Sequence, residues 1–366
     1  MTCDFLSLAS PGVRQLEPYR PGKPIEELER EYGFSNIVKL ASNENPLGPG
    51  HLARAAIRGC EEVLGLYPDG SGFLLKQALA RSLGVGMNQI TLGNGSNDVL
   101  ELIARTFLTP AHQAIFSEYA FVVYALVTQA IGAEAVVTPA KGFGHDLKAM
   151  AQSVTERTRL IFIANPNNPT GTWVEEASLQ GLLDSVPAHV LVVVDEAYFE
   201  YVDAPGYPDC VAWIKRYPQL IVTRTFSKIH GLAWLRVGYG ISHPEVAELL
   251  NRVRQPFNVN SLALRAAQAA LEDKEHIARS FAVNKAGLKQ LAEAFERLGL
   301  NYIPSVANFI SVELDRPAAP VYEALLRKGV IVRPVANYGM PNHLRVTVGL
   351  EHENARFIAA LREVLG

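Results

Sequence analysis

Cysteine is scarce: Cys3, Cys60 and Cys210 are odd in number and far apart, which leaves neither a disulfide framework nor a thiolate cage. Free thiols in a reducing compartment are expected. None of the nine histidines forms an H-x-x-x-H pair or stands at ligand spacing from a cysteine, so no metal site is expected. No run approaches the roughly eighteen uninterrupted apolar residues that a membrane span needs. The opening decapeptide carries Asp4 where a secretory leader would carry basic residues, so a cytoplasmic chain is expected. Neither sign of charge dominates: 34 Lys and Arg against 37 Asp and Glu give a net charge of -3, with no basic block to draw a polyanion. Nucleic acid is therefore not an expected partner. There is no internal repeat and no G-x-x-x-x-G-K-[ST] loop for a triphosphate.

What remains is a chain of 366 residues, 48% hydrophobic, long enough for about two domains. From about residue 90 to 240, short apolar runs alternate with amphipathic ones, the pattern of strands crossing over through helices into a parallel sheet, so the fold class is α/β. The strands expected are Ile90–Gly93, Ala114–Ser117, Ala135–Val137, Leu160–Ala164, Val190–Val194, Leu220–Thr223 and Tyr239–Ile241. Several are apolar at consecutive positions, as strands covered on both faces must be. Helices are expected over 52–64, 73–83, 97–107, 120–130, 175–184 and 244–253. After about residue 270 a long helix (275–298) leads to short strands at 308–313, 329–332 and 344–348 and a closing helix over 352–364, a smaller α+β domain. The division expected is an N-terminal arm with part of the small domain (1–45), a large domain (46–270) and a C-terminal domain (271–366).

Four constellations bear on chemistry. Gly93-Asn94-Gly95 follows a strand and opens a helix, with Glu118 about twenty positions on, which nearly spells a dinucleotide-binding fingerprint. Asp98 stands in place of the third glycine. What survives is that Gly95, Ser96 and Asn97 offer backbone N–H groups and a hydroxyl at a helix N-terminus, a phosphate site if not merely a capped turn. Next, Asn165-Pro166-Asn167-Asn168-Pro169-Thr170-Gly171 puts two asparagines before prolines at the carboxyl end of a strand, where open α/β sheets bind ligands. Third, Asp195 ends the apolar run from Val190, with Tyr198 three residues later. A carboxylate so placed is partly buried and needs a cationic or hydrogen-bonding partner, unless it only caps a helix. Last, Lys228 follows a strand between hydroxyls (Thr225, Ser227), with Arg236 eight residues on, an amine beside an anion site. All four lie at one sheet edge.

Together with Leu16-Glu17-Pro18-Tyr19, Ser42-Asn43-Glu44-Asn45-Pro46-Leu47-Gly48-Pro49, Tyr67-Pro68-Asp69-Gly70 and Leu344-Arg345-Val346-Thr347-Val348-Gly349, these elements resemble the fold-type I pyridoxal-phosphate aminotransferases, and most closely the histidinol-phosphate aminotransferase family. The resemblance runs along essentially the whole chain. It implies a large domain with a mostly parallel central sheet flanked by helices, a smaller α+β domain, and pyridoxal 5'-phosphate as cofactor. Lys228 would form the Schiff base and move the substrate Cα proton. Asp195 would pair with the pyridine nitrogen and keep it protonated. Asn168 and Tyr198 would bond the ring oxygen, and Gly95, Ser96, Asn97, Thr225, Ser227 and Arg236 would surround the phosphate. Phe121 would stack on the ring, with Tyr119 as the alternative. Arg345 would clamp the substrate carboxylate, a planar match that lysine cannot make. Asn43 would line the substrate pocket, and Tyr19 and Arg333 are candidates for its distal end. Tyr67 would reach the neighbouring subunit's cofactor phosphate, which implies a homodimer.

The reaction implied is amino transfer between L-histidinol phosphate and 2-oxoglutarate. The alternatives are an aromatic amino-acid aminotransferase of the same family and, further off, a lyase like those that decarboxylate threonine phosphate. Two positions depart from the family pattern. Trp234 stands where relatives usually have glycine and His230 where they often have phenylalanine. Both lie between Lys228 and Arg236, where a change can reshape the pocket without removing the chemistry, so their effect on substrate choice is open.

Overall fold

A computed structural model describes residues 3–18, 22–33, 36–60 and 64–366. Its centre is a seven-stranded sheet whose strands, in chain order, are β1 (Ile90–Gly93), β2 (Gln113–Ser117), β3 (Glu134–Thr138), β4 (Thr158–Ala164), β5 (Leu191–Asp195), β6 (Leu220–Thr225) and β7 (Gly238–Ile241). They lie in the order β1-β7-β6-β5-β4-β2-β3. β4, β5 and β6 are buried along nearly their whole lengths, because helices cover both faces of the sheet. One expectation of the crossover pattern is corrected: β7 runs antiparallel to both its neighbours, β1 and β6. The link from β6 to β7 is only twelve residues of turn and short 3₁₀ helix, too little for a packed crossover helix, so the strand returns in the opposite direction.

The expected helices form, and two of them differ clearly in their bounds. The first ends at Ile57 instead of running to 64. The helix expected from 120 starts at Val123. Helix Ser261–Glu272, whose buried face is four alanines, was not expected, because alanines give little hydrophobic contrast around a helix. It packs on His51–Ile57 and Phe73–Leu83.

The C-terminal part builds a second, antiparallel sheet of Tyr302–Ile303, Phe309–Glu313, His343–Thr347 and Arg333–Pro334, in that spatial order. Helices Lys274–Arg297 and Glu351–Leu365 cover it, with Leu291, Phe295, Phe357 and Leu361 fully buried. The N-terminal arm joins this part: Val38–Lys39 pairs in parallel with Val330–Ile331, and Leu28 and Ala41 pack on Leu326 and Ile331. Among the described residues no helix is long and apolar enough to cross a membrane, and no cluster of His, Cys, Asp and Glu has the geometry of a metal site.

Candidate active site

The carboxyl ends of the parallel strands share one level. Ala164 of β4 pairs with Asp195 of β5, and Asp195 pairs with Thr223 of β6. At that edge, under the C-terminal sheet, lies a cavity of ≈ 190 Å³ whose wall includes Lys228, Asp195, Tyr198, Asn168 and Phe121. Ser96, Asn97, Thr225, Ser227 and Arg236 line one end of it, and Asn43, Arg333 and Arg345 line another part. The sheet edge thus brings together residues as far apart in sequence as Asn43 and Arg345.

Asp195 is 4% exposed, and both its oxygens accept hydrogen bonds: Oδ2 from the Tyr124 hydroxyl (3.0 Å) and Oδ1 from the Thr223 hydroxyl (3.0 Å). Burial pushes its pKa up to about 6, while the Thr223 and Tyr124 donors and the Lys228 charge pull the other way. Lys228 donates to the Ser42 carbonyl (3.2 Å). Burial, then the Arg345 and Arg236 charges, push its pKa down to about 7 against Glu44 and Asp195. An amine so placed is largely neutral just above neutrality and can act as a nucleophile or base.

At the end near Arg236, helix Ser96–Phe107 starts from Gly95, and no side chain caps it. Gly95 has φ +88°, and a Cβ there would run into the Arg236 guanidinium; a Cβ at Gly238 would strike the backbone at Gly95 and Ser96. Glycine at both positions lets strand, helix end and guanidinium converge. Arg236 donates to Ser227 Oγ (3.3 Å) and to the Ala233 carbonyl (3.0 Å). Helix N–H groups, hydroxyls and a guanidinium in one place are the donor set for a phosphate.

In the C-terminal sheet, Arg345 is 7% exposed and donates to the Ala41 carbonyl (2.7 Å) and to Asn168 Oδ1. Arg333 lies opposite it in strand register.

Other expectations fall differently. Tyr119 is turned away, packed on Phe143 at 5.4 Å between ring centres, so Phe121 is the aromatic side chain of that turn in the cavity wall. Tyr67 is 83% exposed, stacked on Phe257 at 4.7 Å, and is not in the wall of its own protomer's cavity. Tyr19 lies outside the described residues. Neither departure from the family pattern lines the cavity: Trp234 is 88% exposed, and His230 is buried against Phe226, 3.8 Å from Glu200. The turn from Lys228 to Arg236 points these two side chains away from the cavity. Glu196, adjacent to Asp195, faces the other side of the sheet in a buried ion pair with Arg224 (2.7 Å), so the two carboxylates do not share a site. The residues that sequence reasoning missed are Tyr124, Thr223 and the Ser42 carbonyl. Only Tyr124 left a trace, one helical turn after Phe121.

Comparison with known proteins agrees with this geometry. The sequence pattern of the family described as "Aminotransferase class I and II" matches residues 35–361. The chain belongs to the class I and II aminotransferases. This aminotransferase is 61% identical over 367 residues to histidinol-phosphate aminotransferase 2 of Pseudomonas fluorescens, covering 100% of this chain and 99% of the relative. It is 60% identical over 361 residues to histidinol-phosphate aminotransferase 1 of Nitrosococcus oceani, covering 99% and 98%. The crystal structure of histidinol-phosphate aminotransferase from Sinorhizobium meliloti in complex with pyridoxal-5'-phosphate superposes with a TM-score of 0.89 at 28% identity, covering 97% of each chain. The fold is thus fold-type I.

Proposed function

We propose that this aminotransferase holds pyridoxal phosphate in the ≈ 190 Å³ cavity and transfers the amino group of L-histidinol phosphate to 2-oxoglutarate. The residues present fit the cofactor. A buried carboxylate with two donors on it suits a protonated ring nitrogen, a depressed lysine suits an aldehyde, and the uncapped helix start beside Arg236 and the Ser227 hydroxyl suits a phosphate. When bound, the cofactor supplies a carbonyl for the substrate amine and an electron-poor ring that accepts the charge left at Cα. The chain supplies the rest. Asp195 holds a proton at the ring nitrogen, Phe121 packs on the ring face, Asn168 and Tyr198 approach the ring oxygen, and Lys228 carries the proton to and from substrate Cα.

The observation that carries the substrate assignment is the pair Arg333 and Arg345, opposite each other in register on the cavity wall. Histidinol phosphate bears a phosphate ester where an amino acid bears its carboxylate, and two guanidiniums suit that dianion, while either substrate's anion needs Arg345. An aromatic amino acid needs only one. Steady-state assay with histidinol phosphate and 2-oxoglutarate tests the reading: turnover far above that with phenylalanine or tyrosine is expected, and the reverse preference rejects it. Lys228→Ala should abolish both turnover and the visible absorbance of the loaded protein.

The same reading takes the enzyme as a cytoplasmic homodimer with a shared site. Its support is the exposed Tyr67–Phe257 pair with Leu66 and Leu74 beside it, apolar surface of a kind that partners cover. It divides the chain near residues 45 and 270, in line with the separate hydrophobic clusters under the two sheets.

A further inference from the structure

We propose that Asn43 is a positioning residue that fixes the direction of the Tyr198 hydroxyl, making it a hydrogen-bond donor into the cavity. This rests on the reading that the cavity holds pyridoxal phosphate.

The direction follows from counting protons. The backbone N–H of Asn43 donates to Thr347 Oγ1 (2.9 Å), so that oxygen already accepts. Its own hydrogen points to Asn43 Oδ1, 3.0 Å away. With Oδ1 thus accepting, the other face of the amide is Nδ2, which has only hydrogens to offer. Nδ2 lies 2.9 Å from Tyr198 Oη and donates to it. The phenol therefore accepts from behind, and its own hydrogen must go elsewhere. Among the described residues no acceptor faces that hydrogen, while Tyr198 lines the cavity. Burial raises the phenol above its ordinary value, so the proton stays on the oxygen.

The anchor is stiff. Asn43 is 1% exposed with φ +56°, a left-handed conformation that asparagine tolerates better than most residues, and its carbonyl accepts from Asn308 Nδ2 (2.9 Å). Thr347 and Asn308 belong to the C-terminal part and Tyr198 to the loop after β5, so the relay sets the phenol only when the two parts are docked. An ionised ring oxygen is the acceptor that such a donor suits, and donation to it favours the deprotonated form of the cofactor's linkage to Lys228.

The test is the pH titration of the visible absorbance of reloaded protein, in wild type, Asn43→Asp, Tyr198→Phe and the double variant. A carboxylate at position 43 takes the Tyr198 proton and turns it away from the cavity. The midpoint should rise by about one pH unit in Asn43→Asp, in the direction of Tyr198→Phe. In the Tyr198→Phe background, Asn43→Asp should add only the smaller effect of its bare charge. Thr347→Val is the neutral companion, and serves if Asn43→Asp fails to fold: with nothing holding Oδ1, the amide can turn over, and a smaller upward shift should appear that vanishes in Tyr198→Phe. Equal shifts in both backgrounds, or none, overturn the assignment while leaving the cofactor reading intact. Absence of any visible band in wild type overturns both.

Discussion

At the scale of single residues, the chemistry turns on how burial treats charge. Lys228 ordinarily titrates near 10.5, and burial with Arg345 beside it brings it to about 7. A depressed lysine binds its proton less tightly in the folded state, so the neutral amine fills in as pH rises through that value. Capture of the cofactor aldehyde by apo-protein should accelerate with pH up to about 7 and level off above it. Arg345→Gln removes a positive neighbour and should move the midpoint upward; stopped-flow absorbance at a series of pH values would measure both, and a rate still climbing steeply above pH 9 would contradict the depressed amine. Lys228, Asp195 and Arg236 were legible because each stands in a short local pattern at a strand end. Tyr124 was not, because its hydroxyl meets Asp195 across 71 residues of chain and its ring, stacked on Phe162 at 4.9 Å, is indistinguishable in sequence from ordinary core. The effect of Trp234 was open for a similar reason: proximity along the chain to Lys228 says nothing of which side of the turn a side chain takes.

At the scale of elements, the phosphate end depends on a strand, a helix end and a guanidinium meeting without side chains between them. Gly95→Ala places a Cβ against Arg236 at a backbone conformation costing about 1–3 kcal/mol for a non-glycine residue. Gly238→Ala keeps an ordinary φ but pushes β7 from the helix start. Both should weaken cofactor affinity by tenfold or more, and Gly95→Ala should also lower the melting temperature of the apo-protein; calorimetry with cofactor titration separates the two effects. Unchanged affinity in both variants would remove this corner as the phosphate site. Most strands of the large sheet could be placed from sequence because fully buried strands are apolar at successive positions. The direction of β7 could not, since four residues carry no mark of which way they run, and the alanine face of Ser261–Glu272 hid a whole helix.

At the scale of the whole molecule, the cavity lies between parts distant in sequence, with the arm tied to the C-terminal part by the pairing of Val38–Lys39 with Val330–Ile331. Tyr67 does not line its own protomer's cavity. If it completes the neighbour's, Lys228→Ala and Tyr67→Ala subunits dissociated together and reassociated should recover roughly one quarter of wild-type activity, because half the dimers are mixed and each holds one intact site. No recovery in mixed dimers would show that each protomer works alone. The reversed strand also bears on synthesis. Among the described residues β1 pairs with β7 alone in the sheet, so this hydrogen-bonded ladder has no partner until nearly two-thirds of the chain has left the ribosome. The anion corner beside Gly238 accordingly waits for β7, and a nascent chain halted ahead of that glycine would carry the lysine yet have nowhere to seat the vitamin's phosphate.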